Sequence, residues 1–395
     1  MRHLGEQDRF IEPSLKVFAE YWLDVSPEIQ QSARMLFDYY LARMSDKQVL
    51  AVLERWYTRL PDHDHDHAQE SEKDEELAVL LVGLIGVRRL NLLRPVTLRR
   101  VSTAVFAYLK DGTDLRRQGI AAELCSLGFE NWQGSVDAVE LMRVLFNLAS
   151  GRGEKTSADL RNLARLATLH VATVNKALFM STLSFDILNA QSALQRTSTM
   201  RLLGFMVRKK PLVLHSSLPR LAEAVVKSLD PTVTALRETV QQTATVILSE
   251  LVRTYPSIDF HAKSQRLAVG TQEGAAIIYD LKSATRLYVL EGHKLPVTSL
   301  SFSPDGRRLV TVSLDESRLL AWKVGSTFFN LFNPGAVPRQ GGATGDEPYK
   351  TYDFNVGDEG CMTVAATLEW LAFEWPAPRT ARLRIRSSAL SFDVD

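Results

Sequence analysis

The chain has 395 residues and a formal net charge of +1, and it contains two cysteines. The near-neutral charge gives no reason to expect nucleic acid or another polyanion as a partner, and the cysteine count argues against a disulfide framework. Because a single hydrophobic core rarely extends beyond about 250–300 residues, we expect at least two domains.

Residues 1–255 predict one helix after another. Ser26, Pro27 and Glu28 combine a capping hydroxyl with a proline at the first helical position, and apolar residues follow at helical spacing as far as Met44. Short polar or glycine-containing breaks separate most of the later helical segments.

Two of the later segments predict an antiparallel helix pair. Leu218–Leu229 and Thr232–Thr254 each carry one apolar face, and the pair resembles part of a HEAT-type repeat. We therefore predict an α-helical, HEAT/armadillo-like solenoid over 1–255. An irregular helical bundle is the alternative.

An acidic, histidine-rich stretch at 61–74 interrupts these helices. Asp62–His67 reads DHDHDH and could loosely chelate Zn²⁺ or Ni²⁺, but a specific metal site needs fixed ligand geometry and supporting hydrogen bonds. We expect a disordered, solvated loop here and no bound metal.

The longest apolar run, Leu77–Val87, does not predict a membrane span. Its length of eleven residues falls well short of the roughly 20 that a spanning helix needs. The start of the chain, Met1–Phe10, is polar and charged and does not resemble a signal peptide. We therefore expect a cytoplasmic protein.

Residues 256–324 change to a β pattern with two units. In the first, Arg266–Leu281, two strands flank a Gln-Glu-Gly turn. The second, Leu290–Val324, has a Gly-His pair, an alternating strand, a Ser-Pro-Asp-Gly turn and two further strands. Tyr279 and Trp322 end corresponding strands and are 43 residues apart, which fits the period of about 40–45 residues in a WD-type β-propeller blade. We predict two such blades.

Four polar residues of the second unit stand where WD-type blades carry an internal hydrogen-bond network. We predict that His293 donates to Asp315 and that Ser313 and the Trp322 indole complete the network. Because buried polar groups must be paired, we interpret this set as a structural network and not as a hydrolase triad. Ser313 also lacks a Gly-x-Ser-x-Gly elbow that would expose its hydroxyl.

The turn of the same unit contains Pro304, Asp305 and Gly306. We assign no catalytic residue, cofactor or metal ligand anywhere in the chain. The sequence has no glycine-rich phosphate loop, His-Glu-x-x-His, nucleophile elbow or Cys-x-x-Cys. An enzyme would need a site built from scattered residues.

Residues 325–348 are rich in Gly, Pro and Asn and predict a long linker. Phe328, Phe329 and Phe332 are expected to anchor it against the rest of the chain, and a partner-binding role is the alternative. The β pattern resumes over 349–395 and predicts additional C-terminal strands that form a third blade-like unit.

Together these segments predict an α+β multidomain chain, in which the solenoid is followed by an incomplete WD-repeat β-propeller. A closed propeller needs at least about four blades, so two or three leave an open sheet edge that can recruit strands. We expect that open side to be covered by another propeller segment, by the chain's own C-terminal strands or by a partner.

The arrangement resembles the C-terminal third of the rabconnectin-3 β-subunit family of WD-repeat proteins, over most of the chain. Four segments carry the resemblance: NKALFMSTLSFDIL at Asn175–Leu188, LDPTVTALRETVQQ at Leu229–Gln242, AVGTQEGAAIIYDLKS at Ala268–Ser283 and EGHKLPVTSLSFSPDG at Glu291–Gly306. Members of that family carry N-terminal propeller repeats that are missing here, so we expect a fragment, a truncated gene product or a chain whose other blades come from elsewhere.

The resemblance implies a non-catalytic interaction scaffold. Its expected partners are a DMX-like α subunit and peripheral subunits of the vacuolar proton-pumping ATPase, whose assembly and vesicle acidification the family serves. Membrane association would be peripheral and through partners only, at the vacuole, endosome or vesicle. The alternative is another HEAT-plus-WD scaffold, in a vesicle coat or a lipid-kinase complex.

Overall fold

A computed structural model of the chain describes residues 14–61, 72–151, 157–190, 192–324, 347–355, 357 and 362–395. The chain forms two compact units, Met1–Lys176 and Ala177–Asp395, which we call unit 1 and unit 2. Unit 1 is helical in its described parts, whereas unit 2 begins with helices and continues into three β-sheets.

Capping side chains begin five of the eight described α-helices of unit 1. The described helices are α1 Leu15–Glu20, α2 Pro27–Arg43, α3 Asp46–Tyr57, α4 Glu72–Arg88, α5 Pro95–Lys110, α6 Leu115–Trp132, α7 Ala138–Ser150 and α8 Ala158–Val174. Backbone N–H groups of the first turn donate hydrogen bonds to the side chains of Ser26, Ser45, Asp114, Asp137 and Ser157. Gly151 ends α7 with a φ of 73°, a left-handed conformation that favours glycine.

Helix α4 is the buried centre of unit 1. All its residues from Glu76 to Gly86 are buried, so the apolar run that is too short for a membrane forms a core helix instead. Gly83 allows α6 to approach closely, because a Cβ there would lie 2.7 Å from a methyl carbon of Leu124.

Unit 2 opens with helices that pack against one another. They are α9 Lys176–Asn189, α10 Ala193–Lys209, α11 Pro211–His215, α12 Leu218–Lys227 and α13 Thr234–Thr254. Helix α10 packs on α13 at Gly204, where a Cβ would come within 2.6 Å of Ile247. Neither helix can bury its apolar face alone, which is the physical reason that such pairs stack.

The β part of unit 2 contains three antiparallel sheets. The first blade is β1 Ile258–His261, β2 Arg266–Gly270, β3 Ala275–Asp280 and β4 Thr285–Glu291. The second blade is β5 Ser299–Phe302, β6 Arg308–Ser313, β7 Arg318–Lys323 and β8 Lys350–Asp353. Helix α14, Val364–Trp370, leads into the third sheet, which is β9 Leu371–Ala377, β10 Thr380–Ile385 and β11 Ser388–Asp393.

The second blade is apolar on both faces because alternate residues of its strands point to opposite neighbours. Leu309 and Trp322 face the first blade and share a core with it. Val310 and Val312, one residue out of phase, pack against Leu383 of the third sheet. The second blade is therefore the middle layer of a stack of three sheets.

The two ends of this stack are closed in different ways. On the outer face of the first blade, Leu267 and Val269 are fully buried, and this blade contacts α12 through β2 and α13 through β1. On the outer face of the third sheet, Arg382 and Arg384 are exposed. A polar outer face is typical of the terminal unit in a stack, so this sheet is a capping layer.

The fold class predicted from the sequence is confirmed: a helical repeat solenoid precedes incomplete WD-type propeller blades. Helix gives way to strand between Thr254 and Ile258, whereas the compact units divide at Lys176, inside the predicted helical domain. As limits of separate domains, 1–255, 256–324, 325–348 and 349–395 stay predictions.

The prediction of one uniform β unit over 349–395 is wrong in two places. Strand β8 pairs with β7 and so completes the second blade from outside the predicted range 256–324. Val364–Trp370 is helical because Thr363 caps it, accepting the N–H of Ala366 at 3.3 Å.

The predicted loop 61–74 is also too long. Helix α4 already begins at Glu72, and its first turn carries Glu72, Asp74 and Glu75, whose charges suit the positive end of the helix dipole. Residues 62–71, with the histidine-rich run, lie outside the described residues. The same holds for 325–346, which include the three phenylalanines of the predicted linker.

Candidate functional site

The candidate site is the hydrogen-bonded centre of the second blade. The register of β6 and β7 pairs Leu309 with Trp322 and Thr311 with Leu320. Thr311 is therefore a diagonal neighbour of Trp322 on the face toward the first blade, within reach of a long side chain. His293 reaches this face from the β4–β5 connection.

Three hydrogen bonds run through this centre. Trp322 Nε1 lies 3.0 Å from Thr311 Oγ1, and that oxygen lies 3.0 Å from His293 Nε2. His293 Nδ1 lies 2.7 Å from Glu316 Oε2. We call His293, Thr311, Glu316 and Trp322 the blade network. Apart from Glu316, which is partly exposed, its members are buried.

A neutral histidine satisfies every polar group of the blade network. The Trp322 indole donates to the Thr311 hydroxyl, which donates its own hydrogen to His293 Nε2, and His293 Nδ1–H donates to the Glu316 carboxylate. The donors all point the same way along the chain of bonds. Each of these side chains therefore has its hydrogen bonds inside the blade.

Glu316 also holds the connection between the two blades. Its other carboxylate oxygen accepts the backbone N–H of Lys294 and, at 3.2 Å, that of Leu295. Gly292 precedes this connection and lies against the Trp322 ring, where a Cβ would come within 2.8 Å of a ring carbon. The Gly-His pair of the sequence is thus explained by close packing at the glycine and hydrogen bonding at the histidine.

The structure corrects two residues of the predicted network. Ser313 lies on the same face as Thr311 but two residues farther from Trp322, and its buried hydroxyl has no hydrogen-bond partner among the described residues. Asp315 is exposed, and the turn directs Glu316 inward in its place. The choice of Thr311 over Ser313 depends on the β6–β7 register, and the choice between the neighbouring acids depends on the conformation of the turn.

Burial controls the ionisation of the blade network. Desolvation lowers the pKa of His293, although the hydrogen bond and charge of Glu316 act to raise it. For Glu316, burial acts to raise the pKa, but hydrogen bonds from Lys294 N–H and His293 outweigh it, so this pKa is also lowered. At neutral pH, the His293 imidazole is therefore neutral and the Glu316 carboxylate is ionised.

The Pro304, Asp305 and Gly306 turn forms a contact between the blades. Asp305 accepts from the Ser303 hydroxyl at 2.5 Å, and Gly306 has a φ of 68°. The His261 ring of the first blade packs directly on Gly306, and its Nε2 donates to the Pro304 carbonyl at 3.2 Å. The turn is therefore part of the blade packing.

A second polar contact links all three sheets through their first strands. Asp259 on β1 accepts from the Ser301 hydroxyl at 3.0 Å and from Phe302 N–H at 2.7 Å, both on β5. The indole of Trp375 on β9 donates to the same Ser301 oxygen at 3.1 Å. Sequence analysis did not identify this contact, because the three segments are distant in the chain.

A cavity of about 410 Å³ in unit 1 is also lined by charged and polar side chains. Its lining includes Arg100 and Arg117. Arg100 donates to three backbone carbonyls at the end of α3, and Arg117 is paired with Glu76 at 3.2 Å. These cations already have partners, so they do not form a ready anion site.

Within the described ranges, no helix combines the length and apolar character needed to cross a membrane. In the same parts of the chain, no cluster of three or more His, Cys, Asp or Glu side chains is placed to hold a metal ion.

Comparisons with solved structures give only weak overall similarity. A Myceliophteria thermophila Cps50 (Swd1) β-propeller domain is 17% identical, with 36% of this chain and 34% of that chain covered and a TM-score of 0.25. A designed armadillo repeat protein is 14% identical, with 59% and 100% covered and a TM-score of 0.27. Chaetomium thermophilum Raptor is 10% identical, with 96% and 44% covered and a TM-score of 0.26.

Sequence comparisons match short stretches of WD-repeat proteins and of other curated proteins. Pre-mRNA-processing factor 19 of Oryza sativa subsp. japonica is 40% identical over 65 residues, which are 16% of this chain and 12% of that protein. WD repeat-containing protein SL1-17 of Schistosoma mansoni is 47% identical over 51 residues, 13% of this chain and 17% of that protein. The chain thus spans under a fifth of the length of either relative.

The family model of the WD domain, G-beta repeat, matches residues 284–317. The chain therefore contains a WD40 repeat, and the matched residues include three of the four members of the blade network.

Proposed function

We propose that the protein is a non-catalytic scaffold of the rabconnectin-3 type that binds other proteins during assembly of the vacuolar proton-pumping ATPase. The observation that carries the scaffold role is the blade network, in which each hydrogen-bonding group is used inside the blade. Because these polar residues bond to one another inside the blade, binding of partners falls to the surface of the protein, as in WD and helical repeat scaffolds generally.

The choice of partners is supported by sequence resemblance. The four segments that resemble the rabconnectin-3 β-subunit family lie on α9, on α13 with the residues before it, and on both blades, so they sample unit 2 from its first helix to its second blade. A DMX-like α subunit and peripheral subunits of the proton pump are the expected partners. Contact with endomembranes would then be indirect, through those partners.

Affinity purification of the tagged full chain from cytosol, followed by mass spectrometry, tests this proposal. We expect recovery of peripheral proton-pump subunits together with a DMX-like protein, and re-acidification of vesicles should slow when the chain is depleted. A Thr311→Val variant, in which the blade network is broken, should recover less of both. An Asp315→Ala variant should recover as much as wild type.

Other recovered complexes would replace the proposal. Coat components or phosphoinositide-kinase subunits would assign the chain to a different HEAT-plus-WD scaffold. Pre-mRNA-processing proteins would instead extend to this chain the role that is printed in the name of the rice relative.

A further inference from the structure

Among the described strands, β11 of the third sheet pairs on one side only. Both blades have four strands, whereas the third sheet has three in the described part of the chain and ends at β11. A strand at the edge of a sheet offers backbone donors and acceptors to another strand.

The register identifies which backbone groups of β11 point outward. Val394 N–H donates to the Arg379 carbonyl at 2.8 Å along the β10–β11 ladder. Because hydrogen-bonded and non-hydrogen-bonded pairs alternate in an antiparallel ladder, the N–H and C=O groups of Ala389 and Ser391 point away from β10.

One end of this edge is already covered. The carbonyl of Asp393, which points the same way, accepts from the hydroxyl of Tyr352 and, at 3.2 Å, from Lys350 Nζ, both on β8. The open part is therefore the short stretch from Ala389 to Ser391, and we call it the β11 edge.

The outer face beside the β11 edge carries two exposed arginines, together with the carboxylates of Glu374 and Asp393. Arg382 lies opposite Ser391 and Arg384 opposite Ala389, and both β11 residues are small enough for an arginine to extend across them. Arg382 Nε is already 3.5 Å from the Ser391 hydroxyl. Arg384 pairs with Glu374 at 2.9 Å, but both side chains are about half exposed, which leaves guanidinium donors available.

The inner face beside the same edge is aromatic. Phe392 of β11 packs between Tyr352 and Phe354, with ring centroids 5.4 Å and 6.0 Å away. Tyr352 and Phe354 are only partly buried. A further strand next to β11 would bring its inward side chains against these rings.

We propose that the β11 edge binds an extended segment of a partner protein as a fourth strand. Its outward side chains would be carboxylates that meet Arg382 and Arg384, and its alternate, inward side chains would be apolar and cover Tyr352 and Phe354. Main-chain hydrogen bonds supply affinity in this mode of recognition, and alternate side chains supply specificity. The proposal rests on the scaffold role above but not on the proton pump as its partner.

A defined peptide tests the proposal on the full chain. The probe is a fluorescein-labelled, end-blocked peptide of alternating glutamate and valine, and the comparison peptide has lysine in place of glutamate. We expect anisotropy titrations to show binding of the glutamate peptide and binding at least about tenfold weaker for the lysine peptide, because charge-assisted pairs to arginine are lost and like charges are introduced.

Variants separate backbone pairing from simple charge attraction. Ser391→Pro removes an N–H that the β10–β11 ladder does not use, so the fold should survive while peptide affinity falls about tenfold or more. Ser391→Ala keeps the N–H and should bind like wild type. Arg382→Gln should weaken only the glutamate peptide, and thermal unfolding of each variant checks that the chain is folded.

Several results would overturn the proposal. Equal binding of both peptides, or equal binding to wild type and Ser391→Pro, would exclude the edge. Binding that appears only after Asp358→Asn and Glu359→Gln are combined would assign the edge to the chain's own residues 356–361. A concentration-dependent dimer that Ser391→Pro abolishes would assign it to a second copy. Failure of the pump pull-down with retention of peptide binding would overturn the proposed partners and leave this edge standing.

Discussion

His293 Nδ1 lies 2.7 Å from Glu316 Oε2, and this bond ties the connection between the two blades to the β6–β7 turn of the second blade. Glu316 accepts two backbone N–H groups of the same connection as well, so one carboxylate holds three successive residues of that connection. The neighbouring acid, Asp315, points to solvent.

Glu316→Ala should therefore destabilise unit 2 far more than Asp315→Ala. Removing Glu316 leaves His293 Nδ1–H buried without a partner, and an orphaned buried donor costs about 1–3 kcal/mol. Asp315→Ala removes an exposed side chain and should change the free energy of unfolding by no more than about 0.5 kcal/mol. Urea unfolding followed by tryptophan fluorescence measures both variants. A larger loss for Asp315→Ala would contradict the assignment of Glu316.

The two hydroxyls of β6 give a second matched pair. Thr311→Val keeps the shape of the side chain but leaves the Trp322 indole and His293 Nε2 without their partner, so we expect a loss of about 1–3 kcal/mol. Ser313→Ala deletes a buried hydroxyl that has no partner and should be neutral or stabilising. The same urea titrations decide this pair, and equal losses would mean that both hydroxyls are bonded in solution.

The success and the failure of sequence analysis here have a common physical cause. Strand alternation and the turn residues locate His293 and Trp322, because both are fixed by local spacing. The partners of these two side chains depend on the β6–β7 register and on which side chain of a four-residue turn faces inward. Ser313 is the next residue after Thr311 on the same face of β6, and Asp315 directly precedes Glu316 in the turn. Composition alone does not distinguish each predicted residue from the neighbour that makes the hydrogen bond.

The sheets show the same limit at longer range. Lys350–Asp353 alternates in burial like an ordinary strand, but nothing in its sequence specifies β7 as its neighbour. The capping role of the third sheet is visible in the sequence afterwards, since β10 alternates buried Leu383 and Ile385 with exposed Arg382 and Arg384. Such alternation predicts a strand with one solvent face, whereas an inner blade is apolar on both.

Acidification should weaken the fold through His293. Its pKa is depressed in the folded protein by burial, so below its ordinary value of 6.5 the unfolded chain binds a proton that the folded chain does not. The contribution to stability is complete above about pH 6.5 and is lost as the pH falls through the lower, folded pKa.

The measurement is the urea midpoint of wild type and His293→Gln between about pH 7.5 and pH 5. The wild-type midpoint should fall more steeply on acidification than that of His293→Gln, and the difference between the two curves reports this histidine together with its effect on the pKa of Glu316. A wild-type midpoint that rises on acidification, relative to the variant, would mean that the charge of Glu316 outweighs burial and raises the pKa of His293 instead.

Gly306→Ala should strain the contact between the blades. The residue has a φ of 68°, and an added Cβ would lie 2.3 Å from a carbon of the His261 ring, so both the backbone and the first blade oppose it. We expect the free energy of unfolding to fall by more than about 1 kcal/mol, which is the cost of a left-handed conformation alone for a residue with a side chain.

Gly112→Ala, where a Cβ would meet no atom within 4 Å, is the control and should be close to neutral. His261→Ala removes the ring that an added Cβ would meet. Gly306→Ala should therefore cost less free energy of unfolding in the His261→Ala background than in the wild-type protein. If the two substitutions are simply additive in the free energy of unfolding, the ring of His261 does not pack on this turn in solution.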